Sequence, residues 1–182
     1  VPFWIENFFT DERYVKIGNK AVICIYALPQ IVAKFGSTEA VKDCFDFLRN
    51  EVKKLGYEDL IIFSNCNVSK LLRECGIDAG YVYGWLRQGC DPNFQIYSTV
   101  EKLKDLPHFI PTASTGFNRL PWDTERSPCI SVEDWRYLLT HFRDVFLPSF
   151  KDKPDWTHKF IMLSNWNEFG EGTYICPSGL NE

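Results

Sequence analysis

The segment Ser164-Asn165-Trp166-Asn167-Glu168-Phe169-Gly170-Glu171-Gly172-Thr173 carries the densest chemistry in the chain. An apolar run, Lys159 to Asn165 (KFIMLSN), leads directly into two glutamates three apart, interleaved with glycines. On one helical turn, residues i and i+3 face the same way, with Cβ atoms ~5–6 Å apart. Carboxyl pairs that cleave glycosidic bonds with retention of configuration stand ~5–5.5 Å apart. One loop could therefore supply an acid/base pair. Crowding the two carboxyls would raise the pKa of one, as an acid catalyst near neutral pH requires. The glycines let backbone and ligand approach closely. The competing reading is a solvated acidic loop, or one glutamate capping the following turn.

Polar and aromatic residues also collect after the other apolar runs. Tyr26 follows the first, Asn65 and Asn67 lie around the end of the second, and Tyr83 and Trp85 follow the third. Ser114, Thr115 and Asn118 follow the fourth, and Trp166 and Asn167 accompany the glutamates after the fifth. In parallel α/β folds, ligand sites form at the C-terminal ends of strands, in barrels on the loops that lead to helices. Tyr26 and Trp85 are candidate sugar platforms, with core or rim packing as the alternative. Trp122, Asp123 and Arg126 form a further group. Asp123 and Arg126 could hold sugar hydroxyls, or Arg126 could orient a catalytic carboxylate by a charge-assisted hydrogen bond. The alternative is a loop-bracing salt bridge under a packed Trp. Asn167 either bonds a substrate hydroxyl or fixes the loop.

These residues need elements to position them, and one rhythm repeats along the chain. Lys20 to Ala27 (KAVICIYA) is a β-type apolar run. Ser37 or Thr38 opens a helical stretch to about Leu55, and Gly56 stops it. Asp59 to Asn65 (DLIIFSN) is a second strand, followed by a short helix through Glu74 that Gly76 breaks. Asp78 to Tyr83 is a third strand, and Tyr97 to Leu106 a helix. His108 to Ser114 is a fourth strand. Ser131 to Phe146 is the clearest helix, with Ser131 as N-cap, Glu133 and Asp134 in its first turn, and an apolar stripe at Trp135, Leu138, Leu139 and Phe142. Lys159 to Asn165 is the fifth strand. Strand–helix alternation of this kind marks an α/β fold with a parallel sheet. Neither G-x-G-x-x-G nor a Walker loop is present, which removes the usual evidence for a nucleotide-binding open sheet.

The bulk properties narrow the classes. The 182 residues suit one domain, 1–182, and a chain 45% hydrophobic and 24% charged is globular. The formal net charge is −4 with no Lys/Arg run, which argues against nucleic acid as a partner. No apolar run approaches the ~20 residues of a membrane span. His108, His141 and His158 make no metal-ligand spacing, so no metal site is expected. The seven cysteines include no C-x-x-C pair and read as free thiols. The compartment is left open.

The run NWNEFGEGT resembles the N-E-W-x-E-G signature of glycoside hydrolase family 99, the endo-α-mannosidase and endo-α-mannanase family. It resembles still more closely the related WbsX-like proteins associated with polysaccharide biosynthesis. Tyr14-Val15-Lys16-Ile17-Gly18-Asn19-Lys20-Ala21-Val22 through Ile25-Tyr26 is similar to the family's Y-x-x-I-x-G-K-P-V…I-Y segment. Gly116-Phe117-Asn118 through Trp122-Asp123-Thr124-Glu125-Arg126 is similar to its G-W-D-N-T-x-R segment. The likeness runs from about Tyr14 to Thr173. Phe169 stands where the family has Trp, Gly170 where the mannosidases have His, and Ala21 where Pro is usual.

The resemblance implies a (β/α)₈ TIM barrel, of which this chain would hold about strands four to eight. A full barrel takes ~250 residues, so the natural domain is expected to start upstream. It also implies roles. Glu168 would deprotonate the substrate's own 2-hydroxyl, which attacks the anomeric carbon to give a 1,2-anhydro sugar. Glu171 would act as general acid and then general base. Tyr83 falls where the family has an active-site tyrosine, and no metal or cofactor is required. The expected activity is a retaining glycoside hydrolase acting on a polysaccharide or oligosaccharide. The alternatives are a glycosyltransferase or polysaccharide-assembly protein, and a carbohydrate-binding barrel without turnover. Architecturally, five parallel strands should follow one another in order, with open apolar edges beside Lys20–Ala27 and Lys159–Asn165.

Overall fold

Apolar runs alternating with capped amphipathic stretches produce a mixed α/β fold. The computed structural model describes residues 2–85, 90–106, 108–118, 129–150, 152 and 159–177. The chain divides into two units, Val1–Tyr81 and Val82–Glu182.

In the first unit a helical turn, α1 (Pro2–Trp4), continues as a wider turn over Ile5–Phe9. Strands β1 (Lys16–Ile17) and β2 (Lys20–Ile25) follow, then helices α2 (Leu28–Phe35) and α3 (Thr38–Lys54). Strand β3 (Asp59–Asn65), helix α4 (Ser69–Glu74) and strand β4 (Ala79–Tyr81) complete it. The sheet order is β1-β2-β3-β4. β2, β3 and β4 run parallel in sequence order, with Cys24 opposite Phe63 and Phe63 opposite Ala79. β3 lies between two neighbours and is buried from Leu60 to Ser64, which is why it reads as an unbroken apolar run. α3 starts where Ser37 Oγ accepts the Ala40 N–H (3.1 Å) and packs Val41, Phe45 and Val52 inward. Gly56, at φ 92°, ends it in the left-handed conformation that glycine tolerates.

Arg49 ties α3 to the sheet. Its guanidinium donates to the Gly76 carbonyl (2.7 Å) and to Asp78 Oδ2 (3.0 Å), and Asp78 Oδ2 also accepts the Ile62 N–H (2.8 Å). Only 13% of the Arg49 side chain is exposed, whereas 36% of Asp78 stays open to water. Arg49→Ala is expected to cost about 1–3 kcal/mol, the usual worth of hydrogen bonds to charged groups. Urea unfolding would read this as a lower midpoint at unchanged slope.

Two features of this unit depart from the sequence expectations. The edge expected to be open beside Lys20–Ala27 is partly covered. β1 pairs antiparallel with β2, Ile17 opposite Lys20, and the Val22 N–H donates to the Val15 carbonyl (3.2 Å). The sheet is therefore mixed rather than purely parallel. The strand also stops at Ile25. Ala27, at φ 59°, turns the chain into α2, whose first turn holds Pro29, where a missing N–H costs nothing.

The second unit contains α5 (Pro92–Asp105), β5 (Thr112–Ser114), α6 (Val132–His141) and β6 (Met162–Ser164), then β7 (Asn167–Glu168) and β8 (Thr173–Tyr174). α5 begins at Pro92 rather than Tyr97, because Asp91 Oδ1 accepts the Asn93 N–H (2.8 Å) and Pro92 occupies the first turn. Ser131 caps α6 as expected, accepting the Asp134 N–H (3.0 Å). α6 continues as a wider turn over Phe142–Phe146 and a 3₁₀ turn over Leu147–Phe150. Ala113, Leu138, Phe142, Phe146 and Phe150 form the buried cluster beneath.

β5 and β6 run parallel, Ser114 opposite Ser164, as their own two-stranded sheet, and β7 and β8 form another, antiparallel pair. The described strands form no single five-stranded ladder and no closed barrel. Within the second unit the reason is visible at the other edge of β5. There the Thr112 carbonyl accepts the Trp85 indole N–H (2.7 Å), and a glutamine amide takes both backbone groups of Ser114. Side chains fill hydrogen-bonding positions that a neighbouring strand would otherwise occupy. All seven cysteines are free thiols. Among the described residues no helix is long and apolar enough to cross a membrane.

Candidate functional site

The two glutamates lie in the hairpin that follows β6. β7 and β8 pair with Glu168 opposite Thr173, and Phe169–Glu171 winds a single 3₁₀ turn between them. A 3₁₀ turn repeats every three residues, so it supplies the i, i+3 relation that an α-helical turn was expected to supply. Glu168 stands immediately before the turn and Glu171 ends it, and both are half-buried.

Burial separates their chemistry. Glu171 Oε2 is enclosed and has no hydrogen-bond partner among the described residues, while the Tyr83 hydroxyl hydrogen-bonds to the Glu171 carboxyl group. Burial pushes the Glu171 pKa above the ordinary carboxylate value, the nearby Glu168 charge pushes it further, and the Tyr83 bond opposes both. Gly170 lies beside the Glu168 carboxylate, where a Cβ would make ordinary contact with Oε1 at 3.6 Å.

The turn is held from below. The Asn118 N–H donates to the Glu171 carbonyl (2.7 Å). Gly172 sits at φ 62°, and a Cβ on it would stand 2.6 Å from Asn118 Cβ, so both backbone angle and space require glycine. Asn165 Nδ2 donates to Thr173 Oγ1 (3.3 Å), and the Ile175 N–H donates to the Asn165 carbonyl (3.0 Å). Trp166 and Phe169 are exposed, 63% and 52%, with Phe169 packed at a tilt against Tyr174, 4.8 Å between ring centres. Gly172 also borders a cavity of about 550 Å³ lined by Thr115, Asn118, Ser131, Trp135 and Tyr174, among others, and none of its lining side chains among the described residues is charged.

The candidates from the sequence divide accordingly. Glu168, Glu171 and Tyr83 come together, with Asn167 and Trp166 beside them on the exposed face of the hairpin. Trp85 is buried, bonded to the Thr112 carbonyl and packed edge-on against Phe94, as a core residue would be. Tyr26 belongs to the first unit and is 63% exposed. Trp122, Asp123 and Arg126 lie outside the described residues. Sequence reading overlooked Gln95. The Asp91-Pro92 cap was the available signal that a helix begins early enough to carry it.

Because the folded pKa of Glu171 is raised, its proton stabilises the fold at low pH, and that contribution is lost as pH rises through the folded pKa. Glu171→Gln, which cannot ionise, is therefore expected to unfold at higher urea than the parent at pH 7. The difference should close below ~4.3, the ordinary glutamate value, where Glu171 is protonated both folded and unfolded. An equal difference at both pH values would refute the raised pKa.

No family model matches the chain, and no curated protein or solved structure matches it either.

Proposed function

We propose that this chain is the C-terminal part of a (β/α)₈ barrel, carrying about strands four to eight, and acts as a retaining glycoside hydrolase on a polysaccharide or oligosaccharide. The observation that carries the reading is the pair Glu168/Glu171 across one turn, with Glu171 buried at Oε2 and raised in pKa and Glu168 beside the side-chain-free Gly170. Such a pair divides into an acid and a base, because ionising one disfavours ionising the other. The parallel β2-β3-β4 and β5-β6 strands, each set connected through helices, support the architecture. The likeness of NWNEFGEGT to the family 99 signature supports the roles, Glu168 as base and Glu171 as acid/base.

Exposed Trp166 and Phe169 offer flat apolar faces for sugar rings, and the cavity beside Gly172 presents Thr115, Asn118 and Ser131 as partners for hydroxyls. Gly170 stands where the mannosidases have histidine, so the cleaved sugar need not be mannose.

The test is a glycan-panel assay on the full-length protein, with Glu168→Gln and Glu171→Gln as controls, reading both released reducing ends and transfer to added acceptors. Release of reducing ends that disappears in both variants supports hydrolysis. Transfer without release would move the reading to a transferase. Turnover undiminished in either variant would remove the assignment of that glutamate.

A further inference from the structure

Gln95 lies in the first turn of α5, and none of its surface is exposed. Its amide Nε2 donates to the Ser114 carbonyl (2.8 Å), and its Oε1 accepts the Ser114 N–H (2.9 Å). A carboxamide carries one donor and one acceptor side by side, as a peptide group does, so Gln95 pairs with β5 as a strand would. The consequences run to the glutamate. Ser114 Oγ accepts the Gly116 N–H (3.2 Å), which sets the direction in which the chain leaves β5. The Asn118 N–H then reaches the Glu171 carbonyl (2.7 Å), and Asn118 Cβ stands where a side chain on Gly172 would have to go. Ser114 is as fully enclosed as Gln95.

We propose that Gln95 is a positioning residue for the Glu171 carboxyl, acting through Ser114 and the Gly116–Asn118 segment. It touches neither substrate nor the reacting atoms, and the inference rests on the reading of Glu171 as the acid/base. α5 and the Glu171 turn share no covalent neighbour, yet the amide fixes the end of β5, and the end of β5 fixes the loop on which the turn rests. An apolar residue does not replace the amide. An apolar side chain of similar length would leave the Ser114 N–H and carbonyl stranded in an enclosed site, and the segment would shift to hydrate them. Such a shift would loosen Asn118 from Glu171 and admit water to Oε2. Among the described residues, the groups that face the Glu171 carboxyl, Glu168 and Tyr83, would remain.

The experiment uses the full chain with ¹³C-labelled glutamate, Glu171 being assigned by the signal lost in Glu171→Gln. Its titration is followed in Gln95→Met, Gln95→Glu and Gln95→Asn, beside thermal unfolding of each. In Gln95→Met the Glu171 midpoint should fall toward ~4.3, and the Asn118 amide should exchange faster with solvent. Gln95→Glu, protonated in its enclosed site, still offers a donor and an acceptor and should titrate at Glu171 as the parent does. Variants that unfold at lower temperature while the Glu171 midpoint stays at the parent value would reduce Gln95 to a structural role and overturn the proposal. If Gln95→Met is too unstable to titrate, Gln95→Asn decides on the same criterion, since its amide is one methylene too short to clamp Ser114. The readout needs no substrate, so an inactive panel in the glycan assay would not be mistaken for failure here. On any substrate that assay identifies, Gln95→Met should lower kcat more for poor leaving groups than for aryl glycosides.

Discussion

Glu171→Gln is expected to slow cleavage of natural glycosides by ~10²–10⁴-fold, the usual worth of a general acid–base group. Aryl glycosides with good leaving groups should lose far less in the first step. The asymmetry follows from the role proposed for a carboxyl that is protonated before the reaction starts. A sugar alkoxide is a poor leaving group and needs that proton, whereas a phenolate departs nearly unaided. Burial and the neighbouring Glu168 charge favour the protonated form of Glu171 in the resting protein. Glu168→Gln should slow both substrate types alike, because a base is required whatever the leaving group. Steady-state rates on a matched pair of glycosides, one alkyl and one aryl, would test the division. Equal losses for Glu171→Gln on both would remove its assignment as acid. The rate should also fall at high pH as Glu171 loses its proton, and that limb should vanish in Glu171→Gln.

A substrate whose 2-hydroxyl is absent or methylated is expected not to turn over at all. In the proposed chemistry Glu168 removes the proton from that hydroxyl, and the oxygen itself attacks the anomeric carbon. Without the hydroxyl no nucleophile is in place, so the loss should be complete rather than partial. Binding should survive, because the rest of the ring is unchanged. Competition of the 2-O-methyl compound against the parent glycoside would separate binding from turnover. Efficient cleavage of that compound would recast Glu168 as a direct nucleophile. In that case a glycosyl–enzyme ester on Glu168 should be trapped by a 2-fluoro sugar, which the 2-hydroxyl mechanism forbids.

Much of the local structure was written in short stretches of sequence, because caps and apolar runs act within a few residues. Ser37 and Ser131 cap helices where their positions before apolar periodicity required, and β3 spans Asp59–Asn65 as read, since a strand buried on both faces has no polar alternation to blur its ends. Glu168 and Glu171 were legible as a pair from spacing and glycines. Their difference followed only from the family resemblance, not from the spacing. That Glu171, rather than Glu168, carries an enclosed oxygen and bonds to Tyr83 depends on a residue far away in the chain. The 3₁₀ hairpin around them depends on Gly172 packing against Asn118, a contact no periodicity announces. Trp85 looked like a ligand platform because it follows a strand, but its indole N–H is spent on the Thr112 carbonyl in the interior. The edges of the strands were the least legible part. Lys16–Ile17 is too short to read as a strand and becomes one only by pairing with β2, while Gln95 closes β5 with a single amide from the first turn of a helix. Backbone hydrogen bonds must be satisfied somewhere, but which partner satisfies them is a matter of distance in space, and only the tertiary structure decides it.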